Sequence, residues 1–318
     1  MPRSPRTARS LLRPLLRPLL RRLSPLAVLL GVATVTLPAH AEGVVERAAR
    51  TGELVMGATA GQPPLVFRDA SGEWTGYGVA VGRVIAAEIS AAVGRPVKLR
   101  VDPTDDPRGL VQGVAKGSLN LVCGVPFTWA ADGVVDFSLP IAVSGLRVMA
   151  PAGRLDGTPE SLQGRRIAVV KDSLAATELG GIQPQARAVD VPDLGAALDA
   201  LQAGRVDGVI ADSTLLAGLA KTRGLTGLAL TPEEPFETYA VSCMVPENDS
   251  QFRNLVNLAI ARWMQAYIDG DPRTLAAVHG WVGPGGMREL PPEKIREVFQ
   301  TVLTTVEALR PVPPAPAR

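Results

Sequence analysis

Two histidines and two cysteines are all that this 318-residue chain carries, and that scarcity removes most site chemistry at once. No Cys/His cluster has the spacing of metal ligands. No G-x-S-x-G elbow surrounds a serine, and no Gly-rich run is built to cradle phosphates. His40 falls in an N-terminal segment read below as removable, so a His-based triad would have to use His279. That residue, just before Gly280-Trp281 and after a helical stretch, reads as a helix-terminal packing residue rather than a base. Covalent, metal and nucleotide chemistry all lack their parts, and no catalytic residue, metal ligand or cofactor is assigned. A carboxylate-only enzyme survives this argument. Aromatics are also few, whereas Ala, Val, Leu and Gly are abundant, and the chain is long enough to bury a sizeable core.

What is present begins with a targeting pattern. Seven arginines from Arg3 to Arg22 precede an apolar run from Leu23 to Leu37, and Ala39-His40-Ala41 supplies a small-x-small cleavage signature. The run is short for a membrane span, so residues 1–41 read as a signal peptide cleaved before Glu42, an uncleaved anchor being the alternative. The residues after Arg21-Arg22 fit a twin-arginine signal poorly, which favours the general secretory route. No cysteine sits at the cleavage point, so a lipoprotein is not expected and the product should be free in the periplasm. Removing the segment leaves 26 Lys+Arg against 31 Asp+Glu, a balance of −5. The basic whole-chain pI therefore reflects export rather than nucleic-acid binding. An oxidising compartment allows Cys123 and Cys243 to pair, two buried free thiols being the other reading.

Periodicity then sets out two similar blocks. Glu53–Ala58 reads as a strand, Leu65–Arg68 and Trp74–Tyr77 flank a hairpin turn, and Val81, Val84, Ile85, Ile89 and Ala92 recur at helical spacing up to Gly94. Val97–Val101, a helix over 110–116 and a strand over 119–122 complete the first block. The second carries a strand at Arg166–Val170, a helix through Leu194, Leu198 and Leu201, and a strand at Val206–Ala211. Two blocks of alternating strands and helices predict an α/β protein of two lobes with mostly parallel sheets. Ligands on such sheets collect beyond the carboxyl ends of the strands, here loops 59–65, 123–131, 171–175 and 211–214. Two amphipathic helices follow, one from Phe252 to Tyr267 and one from Pro292 to Val306, each expected to pack on its own domain. The Pro-rich tail Pro311–Arg318 reads as disordered.

Several motifs in register resemble one family. Gly52-Glu-Leu-Val-Met-Gly57, Pro63-Pro-Leu-Val-Phe-Arg-Asp69, Gly72-Glu-Trp-Thr-Gly-Tyr77, Val135-Asp-Phe-Ser-Leu-Pro140, Ser161-Leu-Gln-Gly-Arg-Arg-Ile-Ala-Val169 and Ala203-Gly-Arg-Val-Asp-Gly-Val-Ile-Ala-Asp212 resemble, in order, bacterial extracellular solute-binding proteins of family 3, the polar amino-acid type. Cys123-Gly124, Asp212-Ser-Thr-Leu-Leu-Ala-Gly218 and Tyr239-Ala-Val-Ser-Cys-Met-Val-Pro246 look most like the glutamate/aspartate-binding branch. The resemblance implies a periplasmic-binding-protein type II fold, with hinge strands near Ser144–Arg147 and Pro235–Tyr239. Lobe one would comprise 42–143 plus 238–318, and lobe two 144–237. A small-molecule ligand would bind between them, closure would present a surface to the permease of an ABC transporter, and the protein would be a monomer that binds no nucleic acid. The strands carrying Cys123 and Cys243 would be neighbours, which the disulfide reading requires.

The resemblance also assigns a ligand site, and here the sequence departs from the family. An arginine that would clamp a ligand carboxylate is missing from Val125–Asp132, and the arginine of the acidic-ligand branch corresponds to a position near Thr59. The aromatic wall positions correspond to Gln62 and Pro107. Ser173 keeps one hydroxyl in the second lobe, and Asp212 matches the carboxylate that receives an ammonium group. Phe127 and Trp129 would supply a more apolar wall, packing beneath the hinge being the alternative. Arg108 and Lys171 are substitute cations or solvated surface residues, and Asp212 is either a ligand contact or a helix N-cap. Thr59, Gln62, Phe127, Thr128, Trp129, Ser173 and Asp212 are thus the ligand-binding candidates. An acidic amino acid is disfavoured, because a buried carboxylate without a partner is expensive. Three functions follow from the resemblance: capture of an amino-acid-like or amine-bearing solute, an orphan binder acting on proteins or peptides, and an enzyme of the cyclohexadienyl dehydratase branch known on this fold.

Overall fold

The computed structural model describes residues 42–59, 61–104 and 106–306. The expected signal peptide, 1–41, and the Pro-rich tail lie outside the described residues. The first lobe opens with α1 (Val44–Thr51), β1 (Glu53–Ala58), the hairpin of β2 (Phe67–Arg68) and β3 (Trp74–Thr75), α2 (Tyr77–Val93) and β4 (Lys98–Pro103). It continues through α3 (Pro107–Ala115), β5 (Val122–Pro126), α4 (Trp129–Asp132) and β6 (Asp136–Phe137). The chain crosses on β7 (Ala142–Pro151) to β8 (Arg166–Val170), α5 (Leu174–Ile182), β9 (Arg187–Val191), α6 (Leu194–Gln202), β10 (Gly208–Asp212), α7 (Ser213–Thr222) and β11 (Leu228–Thr231). It returns on β12 (Glu237–Val245) and ends in α8 (Ser250–Ile268), α9 (Pro272–Val282) and α10 (Pro292–Leu303).

Strands linked through helices run parallel: β1 with β4 in the first lobe, β8 with β9 and β10 in the second. The crossing strands β7 and β12 pair antiparallel over Ala142–Leu146 and Glu237–Val241, which is the two-stranded hinge. β7 continues to pair with β10, and β12 with β5, so one hydrogen-bonded sheet runs from lobe to lobe. Side-chain alternation along these strands divides the second lobe's core. Ile167 and Val169 join Leu146, Val148 and Ile210 on one face, while Ala168 and Val209 join Leu198, Leu201 and Leu216 on the other. Helices therefore have an apolar layer on each face. In the first lobe, Leu54, Met56, Tyr77, Ile85 and Ile89 pack with Phe252, Trp263, Tyr267 and Phe299, so α8 and α10 are fastened to this lobe.

Three expected boundaries shift for identifiable reasons. The strand expected at 119–122 starts at Val122, because the Asn120 amide donates to the Val55 carbonyl (2.8 Å) and its side-chain oxygen accepts from Val55 N–H (2.7 Å). Those contacts use the preceding residues as a crossover beside β1. The strand expected from Val206 starts at Gly208, because Asp207 turns to accept from Arg166, backbone and side chain together. The last helix ends at Leu303 rather than Val306. His279 sits in the last turn of α9, its Nε2 3.0 Å from the Tyr267 hydroxyl and its ring edge-on to that tyrosine, as a packing residue does.

Cys123 on β5 and Cys243 on β12 face each other in register and form a disulfide. The two residues are 120 apart in sequence, and the loop between them contains the whole excursion through the second lobe. Cross-linking so long a loop restricts the unfolded chain strongly. Replacing both cysteines by alanine is expected to cost about 2–5 kcal/mol in urea unfolding. A loss below about 1 kcal/mol would show that lobe one is held without the bond.

Candidate functional site

The carboxyl edges of the parallel strands carry the candidate residues. Thr59 follows β1, Phe127 and Thr128 follow β5, Ser173 follows β8, and Asp212 ends β10. Three of them begin helices: Thr128 accepts from Ala131 N–H (3.2 Å), Ser173 from Ala176 N–H (3.3 Å), and Asp212 from Thr214 N–H (2.8 Å) and Leu215 N–H (3.0 Å). Each cap satisfies amides that the first helical turn leaves without partners. Gln62 pairs through its backbone with Val66 and is half-buried.

The two edges meet across the cleft. Arg108, in the first turn of α3, forms an ion pair with Asp172, the residue before Ser173. Asp172 holds a left-handed backbone (φ 61°), uncommon for a residue with a side chain. Farther along, Gly218 of α7 lies against Pro63 and Pro64, and a Cβ there would stand 2.4 Å from the Pro63 carbonyl oxygen. Only glycine lets the lobes approach this closely. These two contacts join α3 and the loop after β1 to the loop after β8 and to α7. Phe127 packs on Trp129 (centroids 4.9 Å apart) and on Phe137 (5.0 Å), and Trp129 remains 81% exposed. Lys171 is exposed.

Behind Asp212 lies a polar junction that sequence reasoning did not assign to the site. Tyr239 of β12 donates its hydroxyl proton to Asp212 Oδ2 (2.8 Å). Ser144 of β7, directly opposite Tyr239 in the hinge, shares a hydrogen bond with Thr214 (3.0 Å). Arg288, from the segment between α9 and α10, donates to the same Thr214 hydroxyl. Lys221 of α7 binds the Gly286 carbonyl (2.7 Å) and Glu289 (3.1 Å), so this C-terminal segment is strapped onto the second lobe. Asp212, Thr214, Ser144 and Arg288 line a cavity of about 620 Å³ beneath α10. None of the other six candidates lines it. Tyr239 stood within a quoted motif, but nothing in the residues around Arg288 announces its place beside Thr214.

The family model for bacterial extracellular solute-binding proteins, family 3, matches residues 54–267. The chain belongs to this family. Solved relatives agree in fold. The solute receptor for L-cysteine of Neisseria gonorrhoeae superimposes with a TM-score of 0.66 at 22% identity, over 79% of this chain and 98% of that one. A mutant of ArgBP from T. maritima gives 0.65 at 19%, over 75% and 98%. An ancestral amino acid-binding protein, described as a precursor of cyclohexadienyl dehydratase, gives 0.64 at 20%, over 76% and 100%. No curated protein sequence matches the chain. Among the described residues of this family 3 protein, no helix is long and apolar enough to cross a membrane, and no group of His, Cys, Asp and Glu is placed to hold a metal.

Electrostatics in this solute-binding protein follow from the junction's burial. Tyr239 is held protonated far above the usual phenol range, first by burial and then by the negative charge of Asp212. Burial pushes the Arg288 guanidinium down from its ordinary value, and the attraction of Asp212 opposes that shift. Oδ1 of Asp212 is filled by two helix amides. Oδ2 takes the tyrosine and keeps one lone pair for a further donor.

Removing the Tyr239 hydroxyl with Tyr239→Phe is expected to cost about 1.5–3 kcal/mol, the range for a hydrogen bond to a charged group. The same phenol sets an alkaline limit. Its folded-state pKa is raised, so its contribution is fully present below the ordinary tyrosine value of 10.0 and is lost as pH rises beyond it. Stability measured from pH 9 to about 11.5 should therefore fall less steeply in Tyr239→Phe than in wild type. Parallel slopes would show that Tyr239 ionises as freely folded as unfolded.

Proposed function

We propose that this is a periplasmic solute-binding protein, exported by a cleaved signal peptide. It captures a small amino-acid-like or amine-bearing ligand between lobe one (42–143 with 238–318) and lobe two (144–237), and delivers it to the permease of an ABC transporter as a monomer. The observation that supports the reading is the pair of contacts beside the β7–β12 pairing, Arg108 with Asp172 and Gly218 against Pro63, next to the segments that carry Thr59, Gln62, Ser173 and Asp212. Asp212 is the recognition group, its remaining Oδ2 lone pair accepting a ligand ammonium. Arg108 already has a carboxylate partner in Asp172, and Val125–Asp132 contains no arginine. A ligand with two carboxylates would therefore bury at least one of them poorly compensated, which argues against glutamate and aspartate. Differential affinity for the closed arrangement supplies the driving force for closure. Binding rather than transformation is supported by the candidate residues, which among the described residues include no nucleophile–base pair.

A second reading has its own observation. Trp129 is 81% exposed and Val134, five residues on, is 47% exposed, apolar surface suited to a protein or peptide partner. An orphan binder of proteins or peptides would use it in place of a solute cleft.

The deciding measurement is a thermal-shift screen of the refolded, ligand-stripped mature chain against amino acids, polyamines, short peptides and organic acids. A cognate ligand at a hundredfold excess over its dissociation constant stabilises by about 2.7 kcal/mol. Asp212→Asn should weaken an amine-bearing ligand at least about tenfold. A flat panel would sink solute capture and favour the orphan reading, and turnover of a prephenate-like acid would make the protein an enzyme.

A further inference from the structure

The cavity beneath α10 shares Asp212 with the cleft candidates and none of the other six, and its chemistry is of another kind. Its volume, about 620 Å³, is that of a small-molecule site. Its body is apolar, with Ile141, Val241, Val298, Phe299 and Val302 among its walls. Arg288 enters it as a part-buried guanidinium whose side-chain hydrogen bond goes to the neutral Thr214 hydroxyl. Among the described residues no ion pair is formed by Arg288, although a guanidinium presents five N–H donors. The other charges on the walls are accounted for. Lys294 pairs with Glu297 (3.0 Å), and Asp212 is turned to the α7 amides and Tyr239. A long apolar chamber with one cation still able to donate is matched by a molecule with an apolar body and one acidic head.

We propose that this chamber is a second ligand site, for an amphipathic monocarboxylate whose carboxylate pairs with Arg288 and whose hydrocarbon or aromatic body lies along α10. The site does not depend on the identity of the cleft ligand. Its walls come from both lobes and from the hinge: Tyr77 and α10 from the first, Thr214 from the second, Ser144 from β7. An occupant therefore contacts the parts whose relative positions change on closure, and its binding is coupled to that of the cleft solute.

Octanoate is the probe, titrated into the wild-type mature chain carrying ¹³C-labelled Ile, Leu and Val methyls. Saturable shifts at the chamber methyls of Ile141, Val241, Ile295, Val298 and Val302, with no matching response to octylamine, are the expected result. Arg288→Met should weaken octanoate at least about tenfold, and Val298→Phe, which fills the chamber, should abolish binding while the charge remains. Absence of saturable shifts in the wild type at millimolar octanoate would overturn the proposal, as would shifts that miss the chamber methyls or equal binding of octylamine. The wild-type titration decides the matter even if a variant fails to fold.

Discussion

The carboxylate of Asp212 holds three elements together, and the centre of the molecule depends on it. One oxygen closes the first turn of α7, and the other receives the hydroxyl proton of Tyr239 from the returning hinge strand. A side chain at the end of a second-lobe strand is thereby tied to the path back to the first lobe. The neighbouring Thr214 extends the connection to Ser144 on the outgoing strand and to Arg288 from the C-terminal segment. Partial burial makes each of these bonds stronger than it would be in water, and makes an unmatched partner costly. The question posed by the sequence, cap or ligand contact, is answered in part: Asp212 is a cap, and its second oxygen retains capacity for a donor.

Around that junction the architecture reconciles movement with integrity. The pairing of β7 with β12 links parts that each keep a core of their own. The disulfide lies on the first-lobe side of the hinge, joining β5 to β12, so it limits unfolding without spanning the cleft. Contacts that do cross the cleft are of kinds that separate easily: an exposed ion pair between Arg108 and Asp172, and the bare backbone of Gly218 against Pro63. Exposed ion pairs contribute little to stability, so the Arg108–Asp172 pair holds these segments only weakly.

Much of this was legible in the chain. The strands at Glu53–Ala58 and Arg166–Val170 appear where hydrophobic runs and flanking turn residues place them, because burial on both faces demands such runs. The resemblance made Cys123 and Cys243 neighbours and left open whether they pair; the structure joins them in a disulfide. Less legible were boundaries set by one distant polar contact. Asn120 reaching Val55 and Asp207 reaching Arg166 each displace a strand end, and local periodicity carries no record of such a partner.

The sequence by itself determined the fold class, the two-block organisation, the scarcity of catalytic groups and the residues at the strand edges. All of these depend on local pattern or on composition. Tertiary structure alone decided which charges are already matched. It gave Arg108 to Asp172, gave Tyr239 to Asp212, and brought Arg288 from a loop far along the chain to a chamber where, among the described residues, it forms no ion pair. Charge pairing and burial act through space over a few ångströms, whereas sequence records only order along the chain. A binding site's electrostatic balance is therefore settled when the lobes and the C-terminal segment pack together.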